Sequence, residues 1–505
     1  MSAPRRHVAI DLGASSGRVI VVGIDGGAID VREVHRFANA PVAARHAGAV
    51  TLCWRFESIW DGVVEGLRAA AATGPVDSIG VDGWAVDYAL LDEDGEPVRP
   101  VAAYRDPRTQ EPFARLRAEL GDEAIYAATG IAFQPFNTLY QLAADAVDPM
   151  RPFERAQRFL LLPDYLASRL CGSSVAERTN ASTTQLLDAR TLEWNRTLVR
   201  AAGVPERLLP PVVDAGAREP LGTLLPEVAD ETGLDPSTPV VATATHDTAS
   251  AVLAAPIDPA HDLYVSSGTW SLVGAELSAP VATEDARAAN LTNELGAFRS
   301  VRFLRNVAGM WLVQQLAEAF AREGRARSWD ELAAMAASAE PLASVVDPDD
   351  PALFAPGDMP AHLRALCAAR GERVPADDAA LLRCAFDSVA LATGRAARRV
   401  AALGGVAARR IVVVGGGAAN ALLDQLVADA SARPVATGPV EATAIGNALV
   451  QHAALEGVAT AAPLRDLVRG HLRETGASRE FEPDPAMCAR FDEAAERLDR
   501  ATPPR

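Results

Sequence analysis

Lysine is missing from this chain of 505 residues, so its 48 basic side chains other than histidine are all arginine. A phosphate-binding loop of the Walker type requires a lysine on the β- and γ-phosphates, and a protein kinase requires a lysine paired with a glutamate. Schiff-base chemistry requires a lysine amine. The sequence therefore excludes these three kinds of site.

Cysteine is scarce as well, and the five cysteines are widely spaced, odd in number and never arranged as CxxC. This pattern argues against a zinc knuckle and against a disulfide framework. The chain begins MSAPRR and enters an apolar segment at residues 7–12 without the apolar region of a signal peptide. No uninterrupted apolar run approaches the ~20 residues of a membrane span. We therefore expect a cytoplasmic protein.

Positive charge is in deficit, and the formal net charge of -18 argues against nucleic acid or an anionic membrane surface as the main partner. Hydrophobic residues make up 49% of the chain, which is enough apolar material for two cores. The length also exceeds what one core usually supports. We predict an N-terminal domain at residues 1–255, a C-terminal domain at 256–460 and a helical extension at 461–505.

Two segments share one design, in which an apolar strand, a small-residue turn and a second apolar strand follow one another. They are VAIDLGASSGRVIVVGID at residues 8–25 and DLYVSSGTWSLVGAEL at residues 262–277. This pattern indicates an internal duplication, with chance resemblance of two hairpins as the alternative. A helix at residues 378–403 followed by a strand at 411–414 predicts a layered α/β domain. We also predict a hairpin turn at Asp94 and Gly95.

The first small-residue turn is a candidate phosphate-binding loop, since backbone N–H groups can surround a phosphate only where side chains are small. Its residues are Ala14, Ser15, Ser16, Gly17 and Arg18. Arg18 offers a charged group in place of lysine, and Asp11 could hold Mg²⁺ through water. The turn at residues 266–269 has the same rationale. For each segment an ordinary tight hairpin remains the alternative.

The segment VVVGGGAANALLDQL, at residues 412–426, follows a predicted strand and begins a helix. It does not match the dinucleotide-binding pattern GxGxxG, because Asn420 stands where the third glycine belongs. The glycines would still let an adenine nucleotide approach the backbone. Close packing of helix on strand is the competing interpretation.

The segment TATHDTASAV, at residues 243–252, places a carboxylate where an apolar strand turns into a small-residue helix. Phosphoryl transfer to a hydroxyl needs one positioned group to take the proton, which makes Asp247 the candidate general base. A helix N-cap is the structural alternative for Asp247. His246 is a candidate ligand for sugar hydroxyls or a polar packing residue.

Together these segments resemble the FGGY carbohydrate kinases, and within that family the rhamnulokinases. The similar stretches run in order along nearly the whole chain, and the most specific are DLGASSGR, HDTASAV and SSGTWSL. Others include IGVDGWAVDYALLD, NLTNELG, RNVAGMWLVQ and VVGGGAAN.

The resemblance implies two actin-like, ribonuclease-H-like α/β domains flanking a cleft that binds ATP and Mg²⁺. It also implies transfer of a phosphoryl group to O1 of L-rhamnulose. Asp247 would be the base, and His246 and Thr248 would contact the sugar. The residues implied to face the phosphates or line the nucleotide are Ala14, Ser15, Ser16, Gly17, Arg18, Thr269, Asn306, Gln314 and Gly416.

One position departs from the family. Its sugar-contacting segment usually reads TWGVD, whereas this chain has GWAVD at residues 83–87, so that Ala85 adds a methyl group. The sugar could therefore be another ketose or deoxy-sugar, such as fuculose or xylulose. A non-catalytic, actin-like nucleotide sensor is the alternative from another class, although such a protein would have no use for Asp247.

Overall fold

The computed structural model describes residues 4–353 and 357–501, so the ends of the first and last predicted segments lie outside the described residues. These residues form two compact units. The first unit comprises Met1–Ala254, Glu276–Phe303 and Glu441–Glu474, and the second comprises Ala255–Ala275, Leu304–Val440 and Thr475–Arg505. Each unit is thus assembled from stretches that are not consecutive in the sequence. The three-part division predicted from the sequence remains a prediction.

The strands are short and rich in β-branched residues, as pleated, half-buried backbone favours. In chain order they are β1 (Arg5–Leu12), β2 (Ser16–Asp25), β3 (Ala28–Ala38), β4 (Val42–His46), β5 (Ala49–Cys53), β6 (Ser78–Gly83), β7 (Tyr88–Leu91), β8 (Arg158–Leu161), β9 (Ala176–Glu177), β10 (Val212–Val213), β11 (Gly222–Thr223), β12 (Pro239–Val241), β13 (Asp262–Ser267), β14 (Trp270–Leu277), β15 (Thr292–Leu295), β16 (Val301–Ala308), β17 (Arg410–Val414), β18 (Val435–Thr437) and β19 (Glu480–Phe481).

The helices are mostly amphipathic and bury one face. In chain order they are α1 (Phe56–Ala71), α2 (Gln110–Leu120), α3 (Asp122–Thr129), α4 (Thr138–Ala146), α5 (Pro152–Arg155), α6 (Leu162–Cys171), α7 (Arg178–Ala181), α8 (Arg196–Ala201), α9 (Pro226–Thr232), α10 (Asp247–Ala254), α11 (Glu284–Ala288), α12 (Trp311–Arg322), α13 (Trp329–Ser338), α14 (Met359–Ala369), α15 (Asp378–Gly404), α16 (Ala421–Ser431), α17 (Ala442–Glu456), α18 (Ala461–Thr475) and α19 (Pro485–Ala501). No helix within the described part of the chain is both long enough and apolar enough to span a membrane.

The main sheet of the first unit has the strand order β11-β12-β6-β1-β2-β3. Strands β1, β6 and β12 run parallel, whereas β2 and β3 continue antiparallel from β1. Helices α1 and α17 both contact β1, and its apolar residues are accordingly buried along most of its length. Because β1 and β6 are parallel, their carboxyl ends, Leu12 and Gly83, meet at one edge of the sheet.

The sheet of the second unit repeats this arrangement. Strands β16, β14, β13, β17 and β18 follow one another in that order, with β13 parallel to β17 and antiparallel to β14. The hairpin β13–β14 thus corresponds to β1–β2, and the paired strands β17–β18 correspond to β6–β12. The prediction of an α/β fold built from two related units is confirmed.

The predicted hairpin at Asp94 and Gly95 is present in a short form. Gly95 lies in the turn with a positive φ of 85°, and beyond the turn Pro97 forms an antiparallel bridge with Leu91. Val98 also donates its N–H to the carbonyl of Leu90 at 2.9 Å. Strand β7 pairs in addition with β8, in the register Tyr88 to Leu161 and Leu91 to Arg158. The predicted helix at residues 378–403 is confirmed as α15, and Gly405 ends it in the left-handed conformation.

Candidate active site

Asp247 lies in the first unit, at the edge where β1 and β6 end. Gly83, the last residue of β6, donates its N–H to the carbonyl of Thr245 at 2.9 Å, which continues the sheet up to His246. Helix α10 begins at Asp247, whose Oδ1 accepts from the N–H of Thr248 at 2.5 Å and from its hydroxyl at 3.1 Å. The side chain keeps 32% of its exposure, so a substrate hydroxyl can reach the carboxylate.

The environment of Asp247 suits a proton acceptor. Desolvation by the surrounding structure, with repulsion from the Asp11 carboxylate, raises the pKa of Asp247 to about 7. A base with a pKa near the working pH combines a useful ionised fraction with good affinity for the proton.

Asp11 and Arg18 face each other across the β1–β2 hairpin, where they are register partners. The Arg18 guanidinium donates to Asp11 Oδ2 and, at 2.5 Å, to Oε2 of Glu441, which lies 423 residues away in the sequence. Burial alone would lower the pKa of Arg18, but these two carboxylates together raise it. The arginine predicted to serve the phosphates therefore also neutralises Asp11, whose charge raises the pKa of Asp247.

The turn at residues 13–17 is tight, since Gly13 donates its N–H to the carbonyl of Ser16 at 3.0 Å. Ala14, Ser15 and Ser16 are partly or fully exposed, whereas Gly17 is buried. A Cβ on Gly17 would stand 2.1 Å from the Phe37 ring. This glycine is thus required by packing, and the residues open to a phosphate are those before it.

Asp82 is a third carboxylate at this edge and was not singled out in the sequence. It is fully buried and is the parallel register partner of Asp11. Its Oδ2 accepts from Asn447 at 2.5 Å, while Oδ1 has no hydrogen-bond partner. Burial and the neighbouring Asp11 raise the pKa of Asp82 well above its ordinary value.

His246 lies in a buried charged cluster that the sequence did not reveal. Its Nδ1 is 2.8 Å from Nη2 of Arg302 and 3.5 Å from Oε2 of Glu294. Desolvation and the charge of Arg302 hold the pKa of His246 well below its ordinary value. Glu294 belongs to the NLTNELG stretch, and Arg302 interrupts the otherwise apolar run VRFL, which was the available signal for both residues.

The segment around Ala85 is fixed by hydrogen bonds to the side chain of Asp87. The Asp87 carboxylate accepts from the indole N–H groups of Trp54 and Trp84 at 2.7 and 2.9 Å. It also accepts from the amide of Gln141 at 3.0 Å. Val86, which stands between Ala85 and Asp87 in the sequence, adopts a positive φ of 72°, an uncommon conformation for a β-branched residue. Ala85 is partly exposed while its neighbours are buried, as expected of a residue presented to a ligand.

In the second unit the turn between β13 and β14 joins the start of α12. The carbonyl of Thr269 accepts from the N–H groups of Gly309 and Trp311, both at 3.2 Å. Asn306 on β16 and Gln314 in the first turn of α12 are each partly exposed. The structure thus connects Thr269 to the element that carries Gln314.

The three glycines after β17 differ in their surroundings. A Cβ on Gly417 would lie 2.0 Å from Oγ of Ser267, and one on Gly415 would lie 2.9 Å from the Ser267 carbonyl oxygen. A Cβ on Gly416 would meet no atom within 4 Å. Gly415 and Gly417 therefore serve the contact with the β13 turn, while Gly416 faces open space that a nucleotide could fill.

Two family models match the chain. The N-terminal domain of the FGGY family of carbohydrate kinases matches residues 7–254, and the C-terminal domain of that family matches residues 263–455. The rhamnulokinase of Pectobacterium carotovorum subsp. carotovorum is 41% identical over 469 residues, covering 92% of this chain and 91% of the relative. The rhamnulokinase of Klebsiella pneumoniae subsp. pneumoniae is 39% identical and covers 96% of both chains. That of Bacillus subtilis is 36% identical, covering 92% of this chain and 93% of its own.

Solved structures share the fold at low sequence identity. Gluconate kinase from Lactobacillus acidophilus superposes with a TM-score of 0.78 at 15% identity, covering 99% of this chain and 97% of its own. Xylulose kinase from Rhodospirillum rubrum has a TM-score of 0.76 at 22% identity, with 98% of each chain covered. Plasmodium falciparum glycerol kinase with ADP has a TM-score of 0.78 at 14% identity, with 99% of each chain covered.

Proposed function

This chain belongs to the FGGY family of carbohydrate kinases, and we propose that it transfers the γ-phosphoryl group of ATP to O1 of L-rhamnulose, giving L-rhamnulose 1-phosphate and ADP. The observation that carries the choice of sugar is the 36–41% identity to rhamnulokinases over more than nine tenths of the chain. Because ATP is the donor, we place the reaction in the cytoplasm.

Asp247 is the general base of the proposed reaction. It takes the proton of the sugar hydroxyl as the oxygen attacks the γ-phosphorus, and ADP leaves with the electrons of the broken P–O bond. Its partial exposure and its pKa of about 7 support this role. Thr248 donates twice to Oδ1, which leaves Oδ2 of Asp247 as the oxygen that can accept the sugar proton.

The ATP contacts are proposed for each unit by itself. In the first unit, Ala14, Ser15 and Ser16 offer backbone N–H groups to the phosphates. In the second unit, Thr269 is a proposed phosphate contact. Gly416 leaves room for the nucleotide, since a Cβ there would meet nothing within 4 Å. Asn306 and Gln314 complete the nucleotide side.

The acidic edge of the first sheet fits Mg²⁺, which proteins usually hold through one or two carboxylates, water and substrate phosphates. Asp11 is the proposed carboxylate, acting through water, and the buried Asp82 beside it has an oxygen without a partner. When bound, Mg²⁺ would neutralise charge on the phosphates. Arg18 supplies positive charge from the chain itself and lies against Asp11.

Ala85, His246 and Thr248 are the proposed sugar contacts. Ala85 is held in place by the hydrogen bonds of Asp87 and by the constrained turn at Val86. A methyl group at this position narrows the space next to the backbone and selects among ketoses by shape.

The test is a coupled assay of ADP release with L-rhamnulose, L-fuculose, xylulose and no sugar, using the full chain with Mg²⁺ and ATP. We expect the highest kcat/KM for L-rhamnulose and no turnover above background for Asp247→Asn. A higher kcat/KM for another ketose would retain the kinase and refute the rhamnulose assignment. ATP binding without ADP release for any ketose would favour the nucleotide sensor.

A further inference from the structure

Arg302 is a fully buried cation next to the candidate base, among the first three residues of β16, which belong to the first unit. It extends from β16, is 0% exposed, and donates from Nε to the carbonyl of Leu295 at 3.1 Å. Its Nη2 lies 2.8 Å from Nδ1 of His246 and 3.3 Å from Oε2 of Glu294. A buried guanidinium of this kind must be paired, and Glu294 supplies the opposite charge.

The 2.8 Å contact between Arg302 and Nδ1 of His246 has one chemical solution, since Oε2 of Glu294, 3.5 Å from Nδ1, forms no hydrogen bond. A guanidinium carries donors and no acceptor, and it stays charged in proteins. Nδ1 of His246 must therefore present its lone pair to Arg302. Burial and the charge of Arg302 keep the pKa of the ring well below its ordinary value, so the ring is neutral and its single proton belongs on Nε2.

The proton on Nε2 of His246 lies on the side of the ring that faces the candidate base, Asp247. Nε2 of His246 lies 3.5 Å from Oδ1 of Asp247, on the side of the ring away from Arg302. We propose that Arg302 is a positioning residue that fixes His246 as the Nε2–H tautomer, so that His246 acts only as a hydrogen-bond donor next to Asp247. This inference rests on the proposed function for its catalytic meaning, but the tautomer itself does not depend on it.

A donor at this position orients the acceptor hydroxyl. A sugar oxygen that accepts from Nε2–H keeps its own proton free for the Asp247 carboxylate. The opposite tautomer would offer a lone pair at Nε2, which would compete with Asp247 for that same proton. Arg302 thereby directs the hydroxyl proton toward the base without touching the substrate.

The tautomer can be measured directly in the free, full-length protein with ¹⁵N-labelled histidine. Two-bond ¹H–¹⁵N correlation spectra distinguish a protonated from an unprotonated ring nitrogen, and His246→Asn identifies the resonances of this ring by their loss. We expect a protonated Nε2 and an unprotonated Nδ1 in the wild type. Arg302→Lys should keep this pattern, and Arg302→Met should shift the ring toward the Nδ1–H or the doubly protonated form.

The matched control is Arg383→Met, which removes another buried arginine, paired with Asp387 at 2.9 Å in the second unit. It should leave the His246 resonances unchanged. In the kinase assay Arg302→Met should lower kcat by ~10-fold or more, as expected for one charged hydrogen bond, while the KM for ATP changes by less than about 2-fold.

The wild-type spectrum decides the inference even if Arg302→Met fails to fold. A wild-type ring protonated at Nδ1, or at both nitrogens, would overturn it. So would a folded Arg302→Met variant with the wild-type tautomer. If L-rhamnulose is not a substrate but Nε2 carries the proton, the sugar assignment fails and the role of Arg302 in setting the tautomer is supported.

Discussion

Replacing Asp247 with asparagine is expected to stabilise the folded protein at pH 8 while it removes most of the turnover. The carboxylate has a pKa of about 7 in the folded chain and an ordinary value of 3.8, so its ionised form is disfavoured by about three pKa units. At 1.36 kcal/mol per unit this is about 4 kcal/mol as an upper bound. Because 32% of the side chain remains exposed, solvent reduces it to about 1–3 kcal/mol.

The dependence on pH has a definite sign. As the pH rises from about 4 to about 7, the folded chain keeps the Asp247 proton while the unfolded chain has lost it, so wild-type stability falls across this window. Asparagine is neutral at every pH and avoids this loss. The advantage of Asp247→Asn should therefore reach its full size above pH 7, shrink to less than half at pH 5 and vanish below pH 4.

Thermal unfolding at pH 8 and pH 5, together with turnover at pH 8, tests this reasoning. At pH 8 we expect the Tm of Asp247→Asn to exceed that of the wild type by about 2–4 °C, and its turnover to be lower by ~10²–10⁴-fold. Asp235→Asn is the control, because this exposed carboxylate accepts from Ser237 and its pKa is lowered. That variant should gain no stability.

Two results would refute the argument. If Asp247→Asn is no more stable than the wild type at pH 8, or if its advantage is the same at pH 5, the carboxylate is not held against its ionisation. A variant that keeps more than about a tenth of wild-type turnover would rule out Asp247 as the general base.

The other predictions follow from single contacts. The kcat/KM for the sugar should rise about 5-fold from pH 6 to pH 7 and level off above pH 8, since Asp247 must be ionised; a flat profile would contradict its pKa of about 7. Arg18→Ala should weaken ATP binding or turnover by ~10-fold or more, checked by titration calorimetry and rate assay, and unchanged values would make its role structural. Gly416→Ala should fold normally and raise the KM for ATP, whereas Gly417→Ala should lower the Tm because its methyl group meets Ser267. Equal Tm values for the two variants would refute the assignment of open space at Gly416. Asp87→Ala should lower the free energy of unfolding by ~3 kcal/mol or more, measured in urea, because its buried donors lose their acceptor; a loss below about 1 kcal/mol would contradict this.

The duplicated fold and the candidate base were predictable, because each depends on a short, continuous segment of the sequence. The two strand–turn–strand segments predicted the duplicated α/β fold, and the two sheets confirm it by repeating one strand order. Asp247 was predicted as the base because it stands at a strand end beside a small-residue helix, and the structure supports this role through partial exposure and a raised pKa. Local backbone preferences and residue types suffice for such predictions.

Only the tertiary structure decided which charges act together. Arg18 is paired with Glu441, which lies 423 residues away, and Arg302 donates to His246 across 56 residues. It also decided that β7 pairs with β8, which lies about 70 residues further along the chain. These contacts depend on which distant segments share a sheet edge and exclude water there. Burial and charge pairing at that edge set the pKa of Asp247 and the tautomer of His246, and no local sequence pattern records them.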